Sequence, residues 1–470
     1  MGYFKSESGD LAQYYYQTNA SKTLQAEERQ EPSVVLGYHH KWSPGNHTLL
    51  LASRIDDTLV LNDSNPALLY LRTFVSPFTG NTNVSLRNPA GVSSAYHSTL
   101  AAYTTELQQI FAVPSVSQSL LAGVRYQTAS PETKSQVTET IPGFSTNQLT
   151  NQKIGTDLNR VSVYAYDNWD ITDWAQLTAG VSYDRLHYPV NIDTQPISAS
   201  EDTKDQVSPH AGLQVTPWKN GNLRGFYSQS LGGAFFDTSV RLEPTQIDGF
   251  LAAPRSAIPE SVVGLVPATR FETYGWGWDQ SFKSGTYLVV QGQMLNSDAT
   301  RTVGALTNSD IYAPVPDSAS GLRQSLEYQE HSLVVAVNQL LGDQFAVGAR
   351  YRWTDADLNS EFRVPSTVAN AAAFNQDVGA TLNQLDLHLF FNHPSGFFAQ
   401  FNAIWSQQSN RGYTQPLPDE NFWQLNVFAG YRFLQRRGEV ALGVVNLTGK
   451  DSYQVAEDDR RARGDFSEMA

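Results

Sequence analysis

Few residues of this 470-residue sequence have the types and spacing that bind metals or carry out catalysis. His39 and His40 are adjacent, as are Asp56 and Asp57, but neighbouring side chains on a β-strand point to opposite faces. Neither pair is therefore expected to share a metal or to work as paired carboxylates, and Asp56 and Asp57 are interpreted as a solvated loop entrance. The acidic runs 201–205 and 457–459 are interpreted as solvated faces rather than calcium sites.

Motifs of the common enzyme classes are absent from the sequence. It has no cysteine, which excludes disulfides and thiolate chemistry, and it has no nucleotide-binding, zinc-protease or serine-hydrolase motif. We therefore predict no catalytic residue, no metal site and no cofactor, and we expect a protein that is not an enzyme.

Arginines and one long segment are the better candidates for ligand binding. Six arginines are predicted to face the inside of the fold: Arg54, Arg125, Arg224, Arg350, Arg352 and Arg432. Balanced by Asp184 and Asp386, they form ordinary wall charges or attract anionic solutes. The segment 232–269 mixes aromatic, charged and proline residues, so it either packs over a rim or forms a ligand surface or a constriction that folds inward. The predicted ligand-binding residues are Phe235, Phe236, Arg241, Glu243, Asp248, Arg255, Arg350, Arg352 and Arg432.

The elements that position these residues are strands, because apolar and polar residues alternate with a period of two along the chain. From Phe345 to Trp353 the odd positions are Phe, Val, Ala, Tyr and Trp, while the even positions carry Ala, Gly and two Arg. The same alternation recurs at 177–184, 385–392, 397–405 and 423–433. The longest apolar runs are far shorter than the roughly 20 residues of a membrane-spanning helix. The sequence therefore predicts an all-β fold.

The connections between these strands fall into two length classes. Eight short turns are predicted, near residues 43–45, 113–115, 170–174, 219–221, 283–285, 342–343, 394–396 and 436–438. Long polar segments alternate with them, at 56–98, 128–157, 189–205, 232–269, 298–321 and 355–378. Outer-membrane barrels have this asymmetry, with short periplasmic turns and long extracellular loops. We therefore predict a large antiparallel transmembrane β-barrel of about 16–18 strands.

Eight hairpins and an opening strand near residues 11–17 give about 17 strands, whereas closed single-chain bacterial barrels have even numbers. Three explanations stay open: a miscount, a loop segment that pairs with the first strand, or a barrel that lacks its closing strand. The predicted barrel domain spans residues 1–453, and residues 454–470 are predicted to be a charged, disordered tail. Trp42, Trp169, Trp174 and Trp218 lie beside short turns, which predicts an aromatic girdle at the periplasmic interface.

Composition agrees with a membrane barrel. Charged residues make up 17% of the chain, below the roughly 25% of ordinary soluble proteins, and aromatic residues make up 11%. The formal net charge is −14, which argues against nucleic acid as a partner because phosphate binding needs clustered Lys and Arg. Outer-membrane lipid is the expected environment.

Three stretches resemble the barrel of TonB-dependent outer-membrane receptors. They are NWDITDWAQLTAGVSYDRL at 168–186, VSPHAGLQVTPWKNGNLRGFYSQSLG at 207–232 and GVVNLTGKDSY at 443–453. The family pattern matches Leu177, Gly180 and Tyr183 in the first stretch, Ser208, Pro209, Gly212, Leu223, Arg224, Tyr227 and Ser228 in the second, and Asn446, Leu447, Lys450, Asp451 and Tyr453 in the third. The plug and the energy-coupling segment of the family are not recognisable in this sequence.

The resemblance implies passage of a solute across the bacterial outer membrane. Its implied partners are a small-molecule or oligosaccharide ligand and either a TonB-type energy-coupling protein or a plug from residues outside this sequence. The alternatives are the barrel of a polysaccharide exporter, a passive porin and, more distantly, an outer-membrane enzyme with its site on the loops.

Overall fold

The protein is described by a computed structural model that covers residues 2–6, 24–66, 68–75, 82–87, 91–140, 146–233, 241–251, 266–308, 318–364, 368–369, 371–412, 419–434 and 437–449. These residues form strands and two short 3-10 helices, Pro114–Val116 and Ala371–Phe374. No helix within these ranges has the length and apolar character needed to cross a membrane.

The strands follow one another along the chain with few irregular segments between them. In chain order they are β1 (Gly2–Ser6), β2 (Gln25–Ser43), β3 (Asn46–Asp63), β4 (Leu69–Val75), β5 (Thr82–Arg87), β6 (Val92–Val113), β7 (Gln118–Thr140), β8 (Thr146–Gly155), β9 (Leu158–Thr172), β10 (Ala175–Asn191), β11 (Ser198–Val215), β12 (Gly221–Leu231), β13 (Gln246–Ile247), β14 (Phe250–Leu251), β15 (Arg270–Ser281), β16 (Thr286–Asn308), β17 (Ser318–Leu341), β18 (Phe345–Phe362), β19 (Val368–Ala369), β20 (Gln376–Asn392), β21 (Phe397–Arg411), β22 (Glu420–Phe433) and β23 (Gly438–Val444).

Apart from the β13–β14 hairpin, the described strands belong to one sheet of 21 strands. Seventeen of these form an antiparallel meander, and the other four, β4, β5, β8 and β19, lie within its long connections. The predicted all-β barrel architecture is confirmed, and all eight predicted short turns join neighbouring strands of the meander. The predicted opening strand at 11–17 lies outside the described residues, and the strand that precedes β2 is β1. Within the described ranges, ladder pairs are found for β1 with β2 only and for β23 with β22 only.

The outer surface carries an apolar band next to the short turns. On β7, Leu120, Val124 and Tyr126 are 43, 42 and 48% exposed, whereas the outward positions further along the strand are the polar residues Glu132 and Lys134. The apolar positions of the alternating segments therefore face outward, as predicted. Tyr351 and Tyr431, which are 36 and 48% exposed, also face outward. The four tryptophans beside the short turns, Trp42, Trp169, Trp174 and Trp218, are also exposed on this surface.

Much of what the sequence predicted as loop is strand. β6, β7, β16 and β17 have 22, 23, 23 and 24 residues, about twice the 9–11 that cross a bilayer. The predicted loops at 128–157, 189–205 and 298–321 are therefore largely polar continuations of β7, β8, β10, β11, β16 and β17. Beyond the apolar band the outward face of these strands contacts water instead of lipid. Both faces therefore carry polar residues, and the alternation of apolar and polar residues is not visible in the sequence.

At the long-loop end, the connection between β3 and β6 crosses to distant strands. β4 pairs in parallel with the end of β16, and β5 pairs in parallel with β19. Leu68, Val92, Val137 and Leu306 form a buried apolar cluster beneath this crossing. Because these partners are far apart in the meander, the pairing shows that the sheet curves round on itself, with the connection spanning part of its mouth.

Candidate functional site

The segment 241–251 forms a small hairpin inside the barrel, which we call the inner hairpin. Strands β13 and β14 pair through Gln246 with Leu251 and through Ile247 with Phe250. The two turn residues, Asp248 and Gly249, have positive φ angles of 49° and 82°. Two such residues in a two-residue loop make the type I′ turn that suits the twist of paired strands, and Asp-Gly is a preferred sequence for it.

A buried carboxylate holds the beginning of the inner hairpin. Glu106 of β6 is fully buried, and its carboxylate accepts the backbone N–H groups of Leu242 and Glu243, both at 2.9 Å. It also accepts the hydroxyl of Tyr164 on β9 at 2.6 Å. Hydrogen bonds to an ionised acceptor are about twice as strong as neutral ones. Glu106 therefore joins the hairpin to two strands of the wall.

The side chain of Glu243 makes a second set of contacts. One carboxylate oxygen accepts the hydroxyl of Tyr166 at 3.1 Å, and the other lies 3.6 Å from a guanidinium nitrogen of Arg125 on β7. Gln108 of β6 donates to the carbonyl of Leu242 at 2.7 Å. Arg125 is 1% exposed, so protein groups such as Glu243, rather than water, balance its charge.

Aromatic packing and an arginine hold the other end of the hairpin. Phe250 is 1% exposed and stacks on Phe226 of β12, with ring centroids 5.2 Å apart and planes 10° apart. Arg224 donates to the carbonyl of Asp248 at 2.8 Å, and its guanidinium lies 5.2 Å from the centre of the Phe250 ring. Gly275 of β15 makes room for that ring, because a Cβ there would lie 2.6 Å from it.

Strand register gives the depth of the inner hairpin in the barrel. Glu106 lies opposite Leu51 on one side and Arg125 on the other. The outward residues next to Glu106 and Arg125 include Leu107 and Val124, which are 46 and 42% exposed and belong to the apolar band. The hairpin therefore occupies the interior at the level of the apolar band. The interpretation that this segment only packs over a rim is wrong for residues 241–251.

We call the inward side chains that touch the hairpin the covered wall: Glu106, Gln108, Arg125, Tyr164, Tyr166, Arg224 and Phe226. Next to them, Arg160 forms a buried ion pair with Asp184 at 2.8 Å and also donates to the carbonyl of Leu231 at 3.0 Å. His210 bonds to the hydroxyl of Ser228 at 2.8 Å, and its ring lies 5.3 Å from that of Tyr166. The described side chains on this side of the interior are therefore mostly buried.

The opposite side of the interior is polar and less buried, and we call it the open wall: the inward residues Arg350, Arg352, Asp386, Gln400, Asn402, Gln424 and Asn426 of β18, β20, β21 and β22. Arg350 is exposed and lies opposite Asp386 across the β18–β20 ladder. Gln400 donates to Asn402 on the same strand at 2.7 Å. Towards the short turns, Arg432 binds Glu439 and Asn392, both at 2.8 Å, and lies over the ring of Phe398.

The structure divides the predicted ligand-binding residues between these two walls. Arg241, Glu243 and Asp248 belong to the inner hairpin, Arg350 and Arg352 to the open wall, and Arg432 lies near the short-turn end of the open wall. Phe235, Phe236 and Arg255 lie outside the described residues. The hairpin residues and the open-wall arginines thus lie on two separate surfaces of the interior.

Three expectations about charged residues have different outcomes. Arg54 was predicted to face inward, but it lies on the outward face above the apolar band and forms an ion pair with Asp56 at 2.7 Å. Asp56 and Asp57 lie within β3 on opposite faces, so they are not a loop entrance, although they share no site. Burial beside Glu28 raises the pKa of Asp57 to about 7.

Glu106 and Tyr164, which hold the inner hairpin, and Arg160, which forms the buried ion pair with Asp184 beside them, were not predicted from the sequence. Glu106 stands between Thr104 and Gln108 on the polar face of an alternating segment, and that position could have identified it as an inward charge. Nothing in the sequence pairs it with the backbone of Leu242, 136 residues away. Within the described ranges, no three His, Asp or Glu side chains come together as a metal site.

Comparisons with known structures agree with the fold. The chain is 12% identical to BauA, the ferric preacinetobactin receptor from Acinetobacter baumannii, with a TM-score of 0.51 over 92% of this chain and 60% of that chain. For the ferric citrate transporter FecA the identity is 13% and the TM-score 0.52, over 96% and 62%. For FyuA, the ferric yersiniabactin uptake receptor from Yersinia pestis, they are 10% and 0.53, over 91% and 57%. This chain spans about three-fifths of the length of these receptors.

Sequence comparison identifies the family. No curated protein sequence matches the chain. A family model described as "TonB dependent receptor-like, beta-barrel" matches residues 3–254, which is more than half of the sequence. The chain therefore belongs to the TonB-dependent receptor-like β-barrel family.

Proposed function

We propose that this chain is the barrel of a bacterial outer-membrane receptor that takes up an anionic metal chelate. The family supports import, and the three structural relatives are named for ferric chelates. The observation that carries the proposal is the division of the interior: a polar open wall runs beside an inner hairpin that is held by buried charges. A ligand can follow the first surface, while the second narrows the path.

Charge favours an anionic ligand on the open wall. Arg350 is exposed and Arg352 half-buried on the inward face of one strand, and the neighbouring residues are mostly amides, which donate and accept hydrogen bonds. A guanidinium binds carboxylates in bidentate fashion, so a ferric chelate with free carboxylate oxygens suits this wall. Arg432 extends the same surface towards the periplasmic end.

The inner hairpin acts as a gate in this proposal. Its contacts with Glu106, Arg125 and Arg224 keep the interior narrow, and passage requires some of them to break. A TonB-type energy-coupling protein, or a plug from residues outside this sequence, would supply the energy that breaks these contacts. Arg241, Glu243 and Asp248 would then control the gate rather than bind the ligand first. Phe235, Phe236 and Arg255 remain predicted ligand contacts on the same connection.

Binding and permeation measurements test this function together. The purified chain in detergent is titrated with radioactive ferric citrate, and the same protein in liposomes is tested for swelling in neutral sugars. We expect saturable ferric citrate binding that the Arg350→Ala, Arg352→Ala double variant abolishes, because the anion loses both charges. The outward Arg54→Ala variant is the control and should bind normally.

Other outcomes would point to the alternatives. Swelling that depends only on sugar size, without saturable chelate binding, would indicate a passive porin. Saturable binding of a long anionic polysaccharide but not of ferric citrate would favour the exporter.

A further inference from the structure

The β2–β3 hairpin brings two histidines together on its inward face. His39 Nε2 lies 2.8 Å from His47 Nδ1, and the two rings are stacked with centroids 5.0 Å apart and planes 23° apart. His40 points the other way, between Tyr38 and Trp42 on the outward face. The alternation that separates His39 from His40 thus leaves His39 free to meet a histidine of the next strand.

Strand register explains this pairing. His39 lies opposite Leu49, and His47 lies opposite Lys41, so the two histidines occupy diagonal positions across the ladder. Diagonal side chains are close enough for long or aromatic groups to touch. Leu49 and His47 share a face with the buried Leu51 further along β3, which places both imidazoles on the inner wall near the short turn.

The spacing of the two nitrogens fits a particular coordination geometry. If a metal ion bonded to both imidazole nitrogens at about 2.0 Å, nitrogens that are 2.8 Å apart would make an N–metal–N angle of about 90°. Cu²⁺ is the expected ion, because it binds nitrogen ligands most tightly among the divalent first-row metals and accepts ligands at such angles.

We propose that His39 and His47 form a two-nitrogen chelate for Cu²⁺ at the short-turn end of the inner wall. In the metal-free pair, one ring nitrogen donates its hydrogen to the other. To bind the metal, the donating ring moves that proton to its second nitrogen, so that both facing nitrogens present lone pairs. Water fills the remaining coordination positions, since His39 is exposed. The site is independent of the proposed uptake of a chelate.

Lys41 is the charged neighbour that opposes a cation at this site. It lies directly across the ladder from His47 and is exposed, so its flexible stem can carry the ammonium into water when the metal binds. The site should therefore bind Cu²⁺ more tightly when Lys41 is replaced by Gln, which keeps most of the side-chain length without the charge.

Copper titration of the purified chain, prepared without a histidine tag, tests the proposal. Electron paramagnetic resonance should show Cu²⁺ bound by two imidazole nitrogens. The variants H39A and H47A should each weaken binding by at least about tenfold, since loss of a direct ligand costs no less than loss of a second-shell partner. The double variant should lose binding at this site altogether, because each single variant keeps one imidazole ligand and the double variant keeps none.

The variant H40A is the matched control, because His40 is the adjacent histidine on the outward face. It should bind Cu²⁺ as the unmodified chain does, and K41Q should bind more tightly. The heat-dependent shift of gel mobility shows whether each variant keeps its folded barrel. Folded H39A and H47A variants with unchanged Cu²⁺ affinity would overturn the proposal, and so would an equal loss of binding in H40A.

Discussion

The two sides of the barrel interior have similar polar residue types but use them differently. On the covered wall, Glu106, Gln108 and Arg125 are 0, 3 and 1% exposed, and their hydrogen bonds and charges are directed at the inner hairpin. On the open wall, Gln400 bonds to its neighbour along the same strand, and Arg350 stays exposed. Polar residues that face inward therefore need not line a water-filled path, because a loop that folds back can use them as anchors.

This difference has an energetic reason. A charge buried without a partner is far more costly than one in water, so the buried Glu106 and Arg125 are stabilised by the partners that the hairpin adds to those on the wall. Arg350 on the open wall is exposed, so it has water as an alternative partner and carries no such requirement. We therefore expect substitutions on the covered wall to change the gate and the stability, and equivalent substitutions on the open wall to change neither.

The largest effect is expected for Glu106→Ala. The variant loses three hydrogen bonds to a charged acceptor and leaves two backbone N–H groups unsatisfied, at a cost of about 3–5 kcal/mol. The hairpin should detach from the wall, which would raise the single-channel conductance in planar bilayers and expose residues 241–251 to protease.

Glu132→Ala is the matched control for Glu106→Ala. Glu132 lies on the outward face of β7, half exposed, where it pairs with Lys153 at 2.8 Å. Exposed ion pairs contribute at most about 1 kcal/mol, so conductance and protease sensitivity should stay at the unmodified level. A closed, protected hairpin in the Glu106→Ala variant would show that the covered wall does not hold it.

A smaller effect is expected for Gly275→Val, which changes shape without removing a charge. The new side chain would overlap the Phe250 ring, and overpacking of this kind costs about 1–3 kcal/mol. The hairpin should move away from β15 while Glu106 still holds its other end. The conductance should rise by less than in Glu106→Ala.

Gly225→Val on the neighbouring strand provides the comparison for Gly275→Val. A Cβ at Gly225 meets nothing within 4 Å, so the same substitution has room there. Equal conductance in the two valine variants would mean that the Phe250 ring does not fix the hairpin in place.

The sequence predicts the strands and turns well because lipid imposes a strict alternation on each strand. The turn at residues 170–174, beside Trp174, is one example. It is predicted because a short segment with polar residues separates two stretches in which apolar and polar residues alternate. The strand ends beyond the band, such as residues 128–140 of β7, were predicted as loop because polar residues there face water on the outward side. The Asp248-Gly249 turn between Ile247 and Phe250 has a typical hairpin sequence, but it was not predicted because it lies within the segment assigned as a long loop.

The position of the inner hairpin was not predictable in the same way. The contact between Glu106 and the Leu242 backbone joins residues far apart in the chain, and it depends on a carboxylate accepting N–H groups that any sequence would supply. Residue types alone do not encode such a contact. For the same reason, the alternation predicts that Arg125 and Arg350 both face inward, but not that Arg125 is buried while Arg350 is exposed, because that difference depends on where the hairpin lies.

The smallest effect is expected from replacing the same residue type, glutamine, on each of the two walls. Gln108 on the covered wall donates to the Leu242 carbonyl at 2.7 Å and to the Tyr164 hydroxyl at 3.2 Å. Gln424 on the open wall donates to Asn426 at 3.4 Å, and this is the only hydrogen bond of its side chain among the described residues. Gln108→Ala should therefore cost about 1–2 kcal/mol, and Gln424→Ala should cost nothing measurable, because water replaces its weak partner. The midpoint of heat-dependent gel mobility compares the two variants directly. Equal midpoints would mean that the hairpin contributes no more to the stability of its wall than solvent does.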